Sequence, residues 1–198
     1  MLLYDSPVSG NCFKVRLLFA HLGLEYERRE LSVVDRSDRA EVLGDLNPAR
    51  RVPTLVLDDG RALAESNAII WYFADRTPFL PDDRFERAKV LQWLFFEQYD
   101  HEPTLAVVRF WVAFAATPPP AAEIEARRAA GYRALDAMER ALTQVPYLVA
   151  GRYTIADIAL YAYTHVAAEG GFELAAYPAI GAWLDRVARQ EGHITIDA

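Results

Sequence analysis

The sequence has a single cysteine, Cys12, among its 198 residues. One thiol excludes an intramolecular disulfide, a cysteine-rich zinc site and a dithiol redox pair within one chain. So little cysteine is typical of a reducing compartment, and we therefore expect a cytoplasmic protein. The composition, 53% hydrophobic and 25% charged residues, excludes a disordered chain and predicts a soluble globular protein.

The chain also has fewer basic than acidic residues, 21 against 28, which gives a net charge of −7. An acidic chain repels phosphate backbones, so we expect no nucleic-acid partner. The apolar stretch 105–116 is interrupted by Arg109 and is too short to cross a bilayer, so it predicts a buried helix and no membrane association. The N-terminus shows no basic segment followed by an apolar one, and we expect no targeting sequence.

The order of predicted elements divides the chain into two halves. The first half alternates strand and helix in the order β-α-β-α-β-β-α, with its first helix ending at Gly23. A proline-bounded segment follows, and from Arg84 onward the hydrophobic spacing is helical throughout. We predict an α/β domain over 1–76, a linker over 77–83 and an all-helical domain over 84–198.

The segment Ser9-Gly10-Asn11-Cys12 lies between the first strand and the first helix. Free N–H groups and the positive end of the helix dipole favour an anion there. A Cys-x-x-Cys sequence at this place would indicate a thioredoxin-like redox pair, but Ser9 occupies the first position. What remains is a hydroxyl able to donate to a thiolate that a ligand supplies. The alternative, which the motif alone favours, is that Ser9 or Asn11 only caps the helix.

Arg51-Val52-Pro53 precedes the third strand. An X–Pro bond is cis in ~5% of cases, usually in a tight turn. The backbone of Val52 is then an edge that can pair with a peptide-like ligand. The alternative is an ordinary entry into a strand.

Glu65-Ser66 stands at another predicted helix N-terminus. The Ser66 N–H and hydroxyl suit a carboxylate, and Glu65 can accept from an ammonium, so the pair suits the amino-acid end of a zwitterion. The alternative is an N-cap with an acidic neighbour. A fourth segment, Thr154-Ile155-Ala156-Asp157, has the pattern of a capping box, and we interpret it as structural.

Together these segments, in this order and spacing, resemble the cytosolic glutathione transferase family, in particular serine-type theta-, delta- and zeta-like and bacterial members. The resemblance covers nearly the whole chain. It implies a thioredoxin-like α/β N-terminal domain, an all-α C-terminal domain, glutathione as co-substrate, no metal, and a homodimer. It also implies transfer of an alkyl or aryl group to glutathione, a detoxification reaction.

The resemblance assigns the sulfur contact to Ser9, whose hydroxyl lowers the pKa of the glutathione thiol and populates the thiolate. Some relatives use asparagine, cysteine or threonine near this turn, and zeta-like members carry a cysteine where this chain has Asn11. Asn11 is therefore a second candidate for the sulfur. We interpret Cys12 as a small buried residue, with a mixed disulfide to glutathione as the alternative.

The same resemblance assigns the residues that bind the other parts of glutathione. Val52 and a cis Pro53 hold its cysteinyl part, and Arg51 lies near the glycyl carboxylate. Glu65 and Ser66 hold the γ-glutamyl end.

The helical half forms the wall for the electrophile in this family. We name Tyr99 and Arg109 as candidates for contact with it. A buried arginine needs partners, and Arg109 is expected to pair with Glu97 or Glu102, or to face the cleft. His101 is expected to be partly exposed.

Three functions are compatible with these residues. The first is conjugation of glutathione to small hydrophobic electrophiles. The second is glutathione-dependent reduction of disulfides or peroxides. The third is a non-catalytic binding or regulatory module, which the presence of Pro53, Glu65 and Ser66 disfavours.

Overall fold

The computed structural model describes residues 1–198 and divides the chain into two compact units. The first unit comprises Met1–Thr77 together with Glu191–Ala198, and the second comprises Pro78–Gln190. The change of unit after Thr77 coincides with the start of the proline-bounded segment. The last eight residues, which the sequence predicts to belong to the helical half, group with the first unit instead.

The first unit is a four-stranded sheet with three helices, in the order βαβαββα that the sequence predicts. Its spatial strand order is β2-β1-β3-β4, with β1 parallel to β2 and antiparallel to β3, and with β3 and β4 forming a hairpin. The elements are β1 (Leu2–Asp5), α1 (Gly10–Leu22), β2 (Glu27–Glu30), α2 (Arg39–Leu43), β3 (Thr54–Val56), β4 (Ala62–Ala64) and α3 (Ser66–Ala74). This is the thioredoxin-like arrangement.

Helix α1 is the buried centre of this unit. Gly23 ends it in the left-handed conformation, with φ of 63°, which a glycine adopts without the steric cost of a Cβ. Two basic residues on α1 are fully buried, Lys14 and Arg16. Arg16 is neutralised by the equally buried Asp5, whose carboxylate lies 2.8 Å away.

Hydrogen bonds explain why the C-terminal segment belongs to the first unit. The ring Nδ1 of His21 lies 2.8 Å from the carbonyl oxygen of Glu191. The guanidinium of Arg16 donates to the carbonyl of Ile196, and that of Arg28 donates to the carbonyl of Ala198. Because carbonyl acceptors carry no sequence signature, side-chain periodicity could not predict these contacts.

The second unit consists of helices. They are α4 (Arg84–Phe96), a π-helical turn (Glu97–His101), α5 (Glu102–Ala113), α6 (Ala121–Leu142), α7 (Ile155–Thr164), a 3-10 turn (Ala167–Gly170) and α8 (Pro178–Ala188). The all-helical prediction is therefore confirmed. None of the helices combines the length and apolarity needed to span a membrane.

The capping box predicted at the start of α7 is present. The Thr154 hydroxyl accepts from the N–H of Ala156, and the Asp157 carboxylate accepts from the N–H of Thr154 at 2.9 Å. The other carboxylate oxygen of Asp157 accepts from the N–H of Leu148 and from the indole N–H of Trp183, each at 3.0 Å. Asp157 thus joins the start of α7 to α8 and to the preceding loop.

Candidate active site

Three sequence motifs meet at one edge of the sheet because of strand register. Tyr4, next to the end of β1, pairs with Thr54 at the start of β3, and Thr54 pairs with Ala64 at the end of β4. The turn leaving β1, the loop entering β3 and the helix start after β4 therefore all lie at the same edge. Strand pairing thus brings together segments that are up to 60 residues apart.

Ser9 is the N-cap of α1. Its Oγ accepts from the N–H of Cys12 at 3.3 Å, and its carbonyl accepts from the N–H of Phe13 at 2.9 Å. The capping role expected as the alternative is thus present. A serine hydroxyl has one donor and two acceptor lone pairs, so Ser9 can cap α1 and still donate its proton to an anion.

Cys12 is fully buried within α1. Loss of solvation raises the pKa of its thiol to about 12, and the negative charge of Asp5 acts in the same direction. The hydrogen bond with Ser9 and the charge of Arg16 oppose this rise only in part. The interpretation of Cys12 as a small buried residue is confirmed. A protonated thiol without solvent access does not support the mixed-disulfide alternative.

Asn11, Lys14 and Ser66 form a hydrogen-bonded cluster. Asn11 Oδ1 accepts from Lys14 Nζ at 2.8 Å and from the Ser66 hydroxyl at 3.2 Å, while Lys14 Nζ lies 3.4 Å from Ser66 Oγ. The cluster joins the turn at α1 to the start of α3. Lys14 is not among the candidates predicted from the sequence, although a lysine three residues after Asn11 in a helix lies on the same face.

Glu65 and Ser66 begin α3 in a way that differs from the expected N-cap. Glu65 is the N-cap, and its side chain forms no capping hydrogen bond. Its backbone is in the left-handed region, with φ of 70° and ψ of 114°, which is strained for a residue with a Cβ. Ser66 is the first residue of α3, is buried, and directs its hydroxyl to Asn11. The interpretation of Ser66 as a simple N-cap is therefore wrong.

The loop before β3 contains the cis bond between Val52 and Pro53 that the resemblance implies. The carbonyl of Arg51 accepts from Asn47 Nδ2 at 3.0 Å and from the Thr54 hydroxyl at 2.7 Å, which anchors the loop. The backbone of Val52 forms no hydrogen bond within the chain, and the side chain of Arg51 is exposed. Asn47 is not among the candidates predicted from the sequence.

The two candidates for electrophile contact lie in the second unit. Arg109 is buried on α5, with its Nε 2.8 Å from a carboxylate oxygen of Glu169 and its guanidinium 5.0 Å from the centre of the Phe114 ring. Neither Glu169 nor Phe114 was anticipated as a partner. Tyr99 lies in the π-helical turn with 83% of its surface exposed. Contact of either residue with a substrate stays a prediction.

His101 closes the same π-helical turn and is fully buried, so the expectation of partial exposure is wrong. Its Nε2 lies 2.9 Å from the Thr164 hydroxyl on α7. This contact links two helices of the second unit. No group of three or more histidine, cysteine, aspartate or glutamate side chains in residues 1–198 is arranged to hold a metal ion.

Comparison with known proteins identifies the family. The N-terminal domain model of glutathione S-transferase matches residues 8–76, and the C-terminal domain model matches residues 88–191. A glutathione S-transferase crystal structure from Pseudomonas fluorescens has 46% identity and a TM-score of 0.93, with 98% of each chain covered.

Two curated relatives extend this comparison. Glutathione S-transferase D7 of Anopheles gambiae is 32% identical over 96% of this chain and 88% of its own length. The disulfide-bond oxidoreductase YfcG of Escherichia coli K12 is 29% identical over 93% of this chain and 88% of its own length. The chain belongs to the glutathione S-transferase family.

Proposed function

We propose that this protein binds glutathione at the sheet edge where its three motifs meet, and activates the thiol for attack on small hydrophobic electrophiles. The observation that carries the proposal is the Asn11–Ser66 hydrogen bond, together with the strand register, which brings these motifs to one place. Membership of the family supports glutathione as the ligand.

The start of α3 would hold the γ-glutamyl end of glutathione. The N–H groups of the first turn have no side-chain cap from Glu65, so they suit a carboxylate at the positive end of the helix dipole. The exposed carboxylate of Glu65 suits the ammonium. The single proton of the Ser66 hydroxyl is donated to Asn11, so Ser66 offers its backbone N–H to the carboxylate.

The loop before β3 would hold the cysteinyl and glycyl parts. The N–H and C=O of Val52 are unused within the chain, so they suit the two backbone hydrogen bonds of an added extended segment. Arg51 is exposed beside them and offers a cation to the glycyl carboxylate. This local charge matters because glutathione is an anion and the chain carries a net charge of −7.

The thiol would then lie at the N-terminus of α1, with the Ser9 hydroxyl as donor. A hydrogen bond to a charged group contributes about 1.5–3 kcal/mol, which raises the thiolate fraction by roughly tenfold or more. The thiolate attacks the electrophilic carbon, a C–S bond forms, and the leaving group departs with its electron pair. In this scheme Tyr99 and Arg109 are candidates for contact with the electrophile.

Wild-type protein tests this proposal directly. We expect retention on immobilised glutathione and conjugation of a chloro-nitroarene, followed by the absorbance of the product. Absence of glutathione binding at millimolar concentration would reject both glutathione-dependent reactions and would favour a binding or regulatory module.

Reduction of disulfides is the second candidate, and the relative named a disulfide-bond oxidoreductase favours it. The bound glutathione thiolate would attack a disulfide, form a mixed disulfide and release one thiolate. A second glutathione would attack the mixed disulfide, giving oxidised glutathione and the second thiol. No protein thiol is needed, in agreement with the burial of Cys12. Turnover of hydroxyethyl disulfide above that of the chloro-nitroarene would favour this reaction.

We also propose a cytoplasmic homodimer. Leu91, Phe95 and Tyr99 are spaced four residues apart and expose 37%, 70% and 83% of their surfaces. This spacing places them on one side of α4 and its π-helical continuation. An exposed apolar stripe of this kind indicates a surface that a second chain covers.

A further inference from the structure

Lys14 is the least expected member of the cluster at the candidate active site. Lysine is almost never fully buried unless it is paired, and Lys14 is fully buried on α1. Its ammonium lies 2.8 Å from Asn11 Oδ1 and 3.4 Å from Ser66 Oγ, which are both residues of the proposed glutathione site. Arg16, the other buried cation of α1, is bound instead by the Asp5 carboxylate and by backbone carbonyls.

The contact with Lys14 determines how the Asn11 carboxamide is turned. An ammonium has three donors and no acceptor, so the Asn11 atom facing it must be the oxygen. The Ser66 hydroxyl also donates to this oxygen. With two donors on Oδ1, the Nδ2 group is held at the opposite end of the planar amide, turned away from Lys14 and Ser66.

We propose that Lys14 is a positioning residue that holds Asn11 with its amide N–H₂ toward the glutathione sulfur, so that Asn11 joins Ser9 as a donor to the thiolate. The inference rests on the proposed binding of glutathione at this site. Asn11 is two residues after Ser9, in the first turn of α1. A thiolate that accepts a hydrogen bond from Ser9 would lie at this turn. Without Lys14, the Ser66 hydroxyl is the one remaining cluster donor to the Asn11 oxygen, so the carboxamide turns over more readily. The turned carboxamide presents its oxygen to the thiolate and repels it.

The main test is a double-mutant cycle between Lys14 and Asn11 in the full chain. The thiolate of bound glutathione is followed by its ultraviolet absorbance across a pH series, at saturating glutathione, in Lys14→Met, Asn11→Ala and the double variant. We expect each single variant to lower the thiolate fraction near neutral pH about tenfold, which is one pKa unit. Because Lys14 acts through Asn11, the thiolate fraction of the double variant should be no lower than that of Asn11→Ala alone.

Arg16→Lys is the matched control, since it perturbs a buried cation of the same helix that does not contact Asn11. Its thiolate titration should match that of the wild type. Two results would overturn the inference. One is a thiolate titration of Lys14→Met identical to that of the wild type, and the other is a double variant in which the two decreases in thiolate fraction add. If Lys14→Met does not fold, Lys14→Gln replaces it. Gln keeps a neutral donor, so we expect its decrease in thiolate fraction to be smaller than that of Asn11→Ala. A thiolate fraction equal to that of the wild type would count against the inference.

A measurement without glutathione separates this inference from the proposed function. The side-chain amide resonances of Asn11 in the ligand-free protein report its orientation by nuclear magnetic resonance. We expect them to move toward their random-coil positions in Lys14→Met. Unchanged resonances would overturn the positioning role even if glutathione binds. A wild type that binds no glutathione would reject the proposed function, and with it the sulfur contact, whatever these resonances show.

Discussion

The Ser66 hydroxyl donates to the side-chain oxygen of Asn11, 55 positions earlier in the chain, over a distance of 3.2 Å. This bond joins the N-terminus of α3 to that of α1. In the proposed site the first of these holds the γ-glutamyl carboxylate and the second holds the sulfur. Binding of the amino-acid end and activation of the thiol therefore share one hydrogen-bonded cluster.

Replacing Ser9 should slow the chemical step. Ser9→Ala removes the hydroxyl that donates to the thiolate, and we expect kcat for conjugation to fall by about tenfold or more, since a hydrogen bond to a charged group contributes about 1.5–3 kcal/mol. Loss of the cap on α1 should also cost about 1 kcal/mol of stability. Steady-state kinetics and thermal denaturation measure the two effects, with Ser9→Thr as the control that keeps a hydroxyl. Turnover equal to the wild type would show that Ser9 does not contact the sulfur.

Replacing Glu65 by glycine should stabilise the fold while weakening the binding of glutathione. A glycine relieves the positive φ of 70°, a conformation that costs other residues about 1–3 kcal/mol, so Glu65→Gly should raise the free energy of unfolding. Because the carboxylate is lost, the KM for glutathione should rise. Chemical denaturation and kinetics test both parts.

Glu65→Gln is the control for the preceding substitution, since it keeps the side-chain length and the strain while removing the charge. It should weaken glutathione binding without the gain in stability. A Glu65→Gly variant with unaltered KM would contradict the assigned role of this carboxylate.

Cys12 should be inert in the folded protein. Burial raises the pKa of its thiol to about 12, so a thiol reagent should not label the native protein, and one thiol per chain should react in denaturant. Cys12→Ala should keep both glutathione-dependent activities. Rapid labelling under native conditions would contradict the burial of this thiol.

The carboxyl of Asp157 should make stability depend on pH between about 4 and 6. Burial raises its pKa to about 6, above the usual value of about 3.9 in an unfolded chain. The folded state therefore binds this proton more tightly, and the stability from this group is complete below pH 4 and lost as the pH rises to 6, by up to about 3 kcal/mol. Denaturant titrations across this range measure the slope. The side chain of Asp157→Asn has no titratable proton, so this variant should reduce the slope of stability against pH. An unchanged slope would assign the pH dependence of stability to other groups.

The exposed stripe on α4 should hold two chains together. Phe95→Glu places a charge in the centre of the stripe, and we expect it to shift a dimer to a monomer, as measured by multi-angle light scattering. Val145→Glu is the matched control, because Val145 is also exposed but lies outside the stripe. A wild type that is monomeric at micromolar concentration would reject the dimer proposal.

Local patterns predicted most of the architecture. The periodicity of α1 and its stop at Gly23, the capping box at Thr154, and the strand–helix order of the first half all depend on residues within a few positions of one another. Such patterns also pointed to the segments that contain Ser9, Pro53 and Glu65. The assignment to one family required their order and spacing along the whole chain.

Contacts between distant segments could not be predicted in this way. A lysine inside a helix is usually solvated. Its spacing from Asn11 places the two on one helix face, but nothing near Lys14 indicates that it is buried and contacts Ser66 of another helix. The ion pair of Arg109 with Glu169 spans 60 positions in the same manner. In both cases the sequence shows a charged side chain but not its distant partner.

The sequence by itself determined which segments become strands and helices, because propensity, capping and periodicity act over a few residues. It also placed a hydroxyl rather than a thiol at the first position of the turn before α1. Only the tertiary structure decided that three motifs share one sheet edge, that Cys12 is buried in the core and that Lys14 donates to Asn11. Strand register and burial act between segments far apart in the chain, and the chemistry of each of these side chains depends on the neighbours that folding brings to it.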